Sequence, residues 1–197
     1  MFDKLVLASN NPGKLREFAA LFAPFRIEVL PQSAFAIPEA EEPHCTFLEN
    51  GLAKARHAAR VAQLPAVADD SGLEVDALGG APGVYSARYA GEGSDAAANN
   101  AKLLKALTGV PPEKRRARFR GIIVFVRSAV DPHPLVGEGV WEGRIALAPR
   151  GSGGFGFDPL FAPLARTWTA AALPPHDENA RRHRGAALRA LVARWPR

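Results

Sequence analysis

The chain has 197 residues, 47% of them apolar and 23% charged, with a net charge of +5. That balance excludes a disordered chain, and no apolar run nears the roughly 20 residues that cross a bilayer, so one domain over residues 1–197, with at most two lobes, is expected. The single cysteine, Cys45, excludes a disulfide framework and a cysteine-based zinc site, and the opening MFDKLVLASNN has no secretory pattern, so a cytoplasmic location is expected.

KLVLAS (4–9) is a short apolar run that predicts a strand, broken by NNPG. Leu15, Phe18, Leu21 and Phe22 then recur at helical spacing, and Pro12 fits the first turn, where a missing N–H costs nothing. RIEVL (26–30) alternates as a second strand. TFLENGLAKARHAARVAQL opens with Thr46 and carries Glu49 three residues on, a capping-box pattern. Gly51 weakens that helix by up to about 1 kcal/mol against alanine. PAVAD (65–69) predicts a third, short strand that stops at the paired acids Asp69 and Asp70. DAAANNAKLLKALTG (95–109) predicts a helix, ARFRGIIVFVRSAV (117–130) a long strand, and PLVGEGVWEGRIAL (134–147) a strand turning back on it. A last helix starts near His183, with Leu188, Leu191, Val192 and Trp195 on one face. Interleaved strands and helices followed by a hairpin predict an α/β fold with a mixed sheet.

Four constellations carry chemistry. Ser9, Asn10, Asn11, Pro12, Gly13 and Lys14 form a strand-to-helix turn, where free N–H groups and the helix dipole favour phosphate oxygens. It is not a Walker loop, because GxxxxGK[ST] is absent, and helix capping explains it equally well. Glu39, Glu41, Glu42, Asp69 and Asp70 supply carboxylates, the ligands of hard cations. Successive strand residues point to opposite faces, so Asp69 and Asp70 are expected to differ in role. Glu49 is assigned to the helix cap, and Glu39 and Glu42 to solvent. GSGGFGFDPLF (151–161) sets Phe155 and Phe157 among glycines beside Asp158: either a platform for a planar base or a tight turn with core aromatics. His183 and Arg184 are either a clamp for a phosphate or carbonyl oxygen, or plain surface. Together the four fit one guest, a nucleoside triphosphate with magnesium.

LASNNPGKLREF, TFLENGLAKARHAA, ADDSGLEVDALGGAPGVYSARYAG, GGFGFDPLF and HRGAAL resemble, in this order and spacing, the inosine triphosphate pyrophosphatase family, also called dITP/XTP pyrophosphatases. The resemblance runs from Leu5 to about Leu188. It implies an elongated mixed sheet flanked by helices, in two lobes with a nucleotide cleft between them. It also implies a magnesium-dependent homodimer that hydrolyses ITP, dITP or XTP to the monophosphate and pyrophosphate. By match to the family's motifs, Ser9 to Lys14 would hold the phosphates with help from Lys54. Asp70 would be the catalytic acid/base and a metal ligand, with Glu41 the second metal carboxylate. Ser71 would touch substrate, Phe155, Gly156, Phe157 and Asp158 would line the base pocket, and His183 and Arg184 would close on it. One departure is ENARRHR, which places Glu178 where the family has lysine and Arg182 where it has serine, so no base-binding role is expected of Glu178.

Two rival readings remain. A basic nucleic-acid-binding module would use Arg115 to Arg120 and Arg181 to Arg184 as a phosphate track, although Glu41, Asp69 and Asp70 would repel a nucleic-acid backbone. A phosphatase would release orthophosphate instead. The expected partner is a small nucleotide, with no stable nucleic-acid partner and no membrane.

Overall fold

Strands β1 (Lys4–Leu7), β2 (Glu28–Pro31), β3 (Ala66–Val75), β4 (Arg116–Val126), β5 (Leu135–Ile145) and β6 (Phe161–Pro163) form one mixed sheet, flanked by helices. The computed structural model describes residues 2–164, 166–172 and 183–195. Strand order is β2-β1-β3-β4-β5-β6, with β1 parallel to both β2 and β3, and β6 antiparallel to β5. The helices are α1 (Pro12–Phe22), α2 (Phe47–Ala62), α3 (Ala96–Ala106) and α4 (His183–Ala193). The expected α/β class and mixed sheet are what the chain forms. Among the described residues, no helix is long and apolar enough to cross a membrane.

The chain divides into two compact units. The first comprises Met1–Asp70, Ile122–Glu138 and Ala186–Arg197, and the second Ser71–Gly121 and Gly139–Gly185. In the first, Leu5 and Leu7 of β1 pack with Phe18 and Phe22 of α1, Ile123 and Phe125 of β4, and Leu188 and Leu191 of α4. The helical spacing read from the sequence thus marks the buried face of α1. In the second, Leu73, Leu103, Leu107, Phe119, Ile145, Leu160 and Phe161 make a separate core.

The largest departures from the expected strand boundaries are in β3 and β4; β1, β2 and β5 shift by one or two residues. β3 does not stop at the paired acids but runs on through Asp69, Asp70 and Ser71 to Val75. Asp, Ser and Gly are poor strand formers, yet strand preference is largely a matter of packing, and here each carboxylate is buried against a lysine. β4 ends at Val126 rather than Val130, because Asp131 folds the following residues into a turn. Its carboxylate accepts hydrogen bonds from the Arg127 backbone N–H at 2.8 Å and the His133 N–H at 3.0 Å.

The topology places the first unit's chemistry. From β1 the chain passes through α1 to β2 on one side, then returns through α2 to β3 on the other. Open α/β sheets bind ligands outside the carboxyl ends of strands where the order reverses in this way. Leu7, the last residue of β1, is in register with Val67, so Asp69 and Asp70 lie just past the point where β1 leaves the sheet.

Candidate active site

The turn leaving β1 is built by its own polar side chains. Asn11 caps α1, its Oδ1 accepting from the Gly13 N–H at 2.8 Å and the Lys14 N–H at 3.1 Å. Ser9 Oγ accepts from the Asn11 N–H, and Asn10 Oδ1 from the Ser33 N–H. Pro12 sits in the first helical turn, as expected. Capping thus accounts for Asn11 and the helix start at Pro12, while Asn10 ties the turn to Ser33. What the turn presents beyond its own caps is Lys14, whose ammonium pairs with Asp69 Oδ2 at 2.8 Å.

Beside this turn lies a cavity of about 290 Å³, lined by Ser9, Asn10, Asn11, Lys14, Lys54 and Asp69 among others. Lys54 Nζ contacts both Asp70 Oδ1, at 2.8 Å, and Glu42 Oε1, at 2.5 Å. Gly51 eases this approach. A Cβ at Gly51 would sit 3.2 Å from a Val124 methyl, tighter than an ordinary contact, so the glycine favours close packing of α2 on the sheet beside Asp70, with Lys54 one turn on. The glycine that weakens the helix locally is the residue that seats it.

The alternation rule holds for the paired acids: Asp69 takes Lys14 and Asp70 takes Lys54. Asp69 lines the cavity, whereas Asp70 is joined to it through Lys54. Burial pushes the Asp70 carboxyl above its ordinary range; Lys54 pulls it back, and Glu42 and Asp69 add to the rise. For Lys54, burial acts to lower the pKa, but Asp70 and Glu42 outweigh it and the ammonium is held above its usual value.

The acidic loop places its glutamates differently from one another. Glu42, expected in solvent, is the carboxylate that meets Lys54. Glu41, expected as the second metal carboxylate, is exposed and does not line the cavity. Adjacent residues in an irregular loop point in different directions, and motif matching to ±1 residue does not distinguish them. Glu39 does border the cavity. Glu49 takes its capping role, its N–H donating to Thr46 Oγ1 at 3.2 Å while the threonine hydroxyl donates to Glu49 Oε2 at 2.6 Å.

The donor set suits a hard divalent cation. Asp70 Oδ2 is buried and has no hydrogen-bond partner among the described residues, while the carboxylates of Asp70 and Glu42 converge on one ammonium. No three of His, Cys, Asp and Glu gather into a closed metal cage among the described residues. Hard cations bound through one or two protein carboxylates take their other ligands from water and substrate phosphates.

The second unit gathers a different set. Phe155 is 58% exposed, and the Arg184 guanidinium lies 5.9 Å from its ring centroid. Arg184 Nη2 donates to Ser71 Oγ at 3.4 Å. The loop carrying Phe155 is fixed by Asp158, which is buried and accepts from the Phe155 N–H at 2.9 Å. Asn100 of α3 fixes it again, donating to the Gly156 carbonyl at 2.8 Å. Phe157 is buried, edge-on to Tyr89, and belongs to the core. Of the four residues expected to line a base pocket, Phe155 alone offers an open ring; Gly156, Phe157 and Asp158 shape the loop behind it. His183, expected to close on a ligand, is buried and stacks on Phe119 at 5.1 Å. It packs over Gly121, where a Cβ would come within 2.8 Å of the imidazole.

Asn100 carries no local signal, since an asparagine inside an alanine-rich helix reads as surface. Glu178, Arg181 and Arg182 lie outside the described residues. The arginines of 115–120 do not form an open phosphate track. Arg115 is buried on the carbonyls of Leu107 and Val110, Arg116 and Arg118 meet Glu142, and Arg120 meets Glu74.

Comparison with known proteins follows the same lines. The Ham1 family model matches residues 5–194. The dITP/XTP pyrophosphatase of Thioalkalivibrio sulfidiphilus is 56% identical over 191 residues, covering 97% of each chain. That of Aromatoleum aromaticum is 58% identical over 194 residues, covering 98% of this chain and 97% of the other. A solved HAM1 protein from Coxiella burnetii matches with a TM-score of 0.92 at 46% identity, covering 98% of both chains. A nucleoside-triphosphatase / dITP/XTP pyrophosphatase from Mycobacterium abscessus matches with a TM-score of 0.78 at 40% identity, again over 98% of both chains.

Proposed function

The chain belongs to the Ham1 family, and from that premise we propose that it hydrolyses non-standard purine nucleoside triphosphates (ITP, dITP and XTP) to the monophosphate and pyrophosphate. The observation that carries this reading is the pair of buried aspartates at the carboxyl end of β1, Asp69 held by Lys14 and Asp70 by Lys54, which also meets Glu42. Buried charges are retained against their desolvation cost where they serve a site.

Asp70 and Glu42 would hold magnesium, which when bound offsets charge on phosphate oxygens and makes water a better nucleophile. The protein's own part is largely positioning and charge neutralisation, as in other phosphoryl transfers. Lys14 and Lys54 neutralise phosphate oxygens and the departing pyrophosphate. Asp70 orients water at the α-phosphorus and accepts its proton as the bond to the pyrophosphate oxygen breaks. An ordinary carboxyl, with a pKa near 4, is a weak base, so activation of the water by the cation, when bound, would carry part of the load.

For the base, Phe155 offers a stacking face and Arg184 a donor. Hypoxanthine and xanthine carry a 6-oxo acceptor that suits a guanidinium, whereas adenine presents a 6-amino donor. Donor facing donor leaves a polar group unpaired, and sites built on such pairing reject the wrong partner by factors of about 10⁴. The enzyme acts as a homodimer in the cytoplasm on this reading.

A panel of ITP, dITP, XTP, GTP and ATP with magnesium, scored for products, tests the proposal. Equimolar monophosphate and pyrophosphate from the first three is expected. Orthophosphate as the first product, or equal turnover of ATP, would overturn it.

A further inference from the structure

We propose that Asn50 and His57 of α2 are positioning residues that lay the acidic segment 38–44 along the helix in one register, and so decide that Glu42 rather than Glu41 enters the cation site. The inference rests on the reading of that site given above. Residues 37–44 form no helix or strand, so no backbone ladder holds them in place. Fixing such a segment costs backbone entropy at every residue, and specific anchors must offset it.

Three side chains of α2 supply anchors. Asn50 is fully buried, and both ends of its amide are used on one residue: Oδ1 accepts from the His44 N–H at 3.1 Å, and Nδ2 donates to the His44 carbonyl at 3.2 Å. Lys54 meets Glu42. His57 Nε2 lies 3.2 Å from the Pro38 carbonyl; a carbonyl only accepts, so this nitrogen carries the proton and donates.

Residues 50, 54 and 57 stand at i, i+4 and i+7, one stripe of the helix. Their partners, 44, 42 and 38, run in the opposite order. The segment therefore lies antiparallel to α2, pinned near each end by a neutral hydrogen bond to backbone, with the charged contact between them.

The neutral anchors matter because charge alone does not choose a register. A lysine ammonium on a flexible stem pairs with any nearby carboxylate, and Glu41 and Glu42 are adjacent. A slip of one residue would exchange them. Hydrogen bonds to the backbone of His44 and Pro38 fix the register irrespective of side-chain charge, and in that register Glu42 faces Lys54 while Glu41 is exposed.

The test titrates Mn²⁺ into the full-length, nucleotide-free protein, with free Mn²⁺ read by electron paramagnetic resonance, alongside the Mg²⁺ concentration that gives half-maximal ITP turnover. Partners that orient a metal ligand typically change metal affinity 10–100-fold when removed. His57→Ala and Asn50→Ala should each weaken Mn²⁺ binding and raise the half-maximal Mg²⁺ by about 10-fold, with kcat recovered at saturating Mg²⁺. His57→Gln, which keeps a donor, should restore most of the loss. Glu41→Gln should match wild type and Glu42→Gln should lose Mn²⁺ binding. Asn50 is buried and its variant can fail to fold; the half-buried His57 pair then decides. Mn²⁺ affinity unchanged in His57→Ala, with Glu42→Gln impaired, would overturn the positioning role alone. Mn²⁺ affinity unchanged in Glu42→Gln would overturn the cation site as well.

Discussion

The two units meet their polar groups' needs in different ways. In the first, the charged side chains already neutralise one another: Lys14 with Asp69, and Lys54 with Asp70 and Glu42. In the second, the conspicuous group is an exposed ring, Phe155, whose loop is tied down from behind by Asp158 and Asn100. The difference follows from solvation. A buried charge without a partner is untenable, so charged groups must be held by counter-charges that a ligand later shares or displaces. An aromatic face needs no partner to stay exposed; it needs only a rigid mount.

The contrast predicts different kinetic signatures. The largest effect is expected at Asp70. Asp70→Asn should leave nucleotide binding largely intact and lower kcat by roughly 10²–10⁴, the range for removing a positioned base. Stability should move the other way. The raised pKa means that the folded protein favours the neutral form of this group more than the unfolded chain does, so the charge weakens the fold above the ordinary carboxylate pKa. The neutral asparagine should therefore melt no lower than wild type at neutral pH. Near-wild-type turnover in this variant, with Asp69→Asn inactive instead, would move the base to the aspartate that lines the cavity.

At the base end the effect should be smaller and should fall on KM. Stacking on an aromatic side chain contributes about 1–3 kcal/mol per base. Phe155→Ala should thus raise KM for ITP by roughly 5- to 150-fold, with kcat changed far less. A loss confined to kcat would mean that the ring serves the reacting centre, and the contrast between the two units would fail.

Much of this division was legible in the chain. The capping box at Thr46 and Glu49, the buried face of α1 and the start of the last helix at His183 all follow from local spacing, and local spacing is what sequence carries best. What local spacing does not resolve is decided by tertiary partners. Asp69 and Asp70 read as a strand end because nothing nearby in sequence balances them; Lys14 and Lys54 do so from two helices. Glu41 and Glu42 are indistinguishable as letters, and only the lie of an irregular segment along α2 separates them. Phe155 and Phe157 are two residues apart in one loop, yet one is open and the other is core.

The smallest expected effect concerns a side chain outside both clusters and sharpens the comparison by supplying a buried acid with the opposite shift. Asp131 is buried at the turn after β4, accepting from the Arg127 N–H, Nε and Nη2 and from the His133 N–H. The Arg127 side chain is the main cause that holds its carboxyl well below the usual range, with the two backbone N–H groups adding to it against the effect of burial. A depressed folded pKa gives stability that is present above the unfolded value of about 4 and is lost as pH falls through the folded value. Asp131→Asn should therefore lower Tm by a few degrees at neutral pH, and the gap to wild type should narrow as the solution is taken below about pH 4. Melting curves of both proteins across that range make the check, and turnover at neutral pH should be largely retained because Asp131 orders a turn and does not line the cavity. A gap that widened on acidification would mean that the carboxylate is not what the turn depends on.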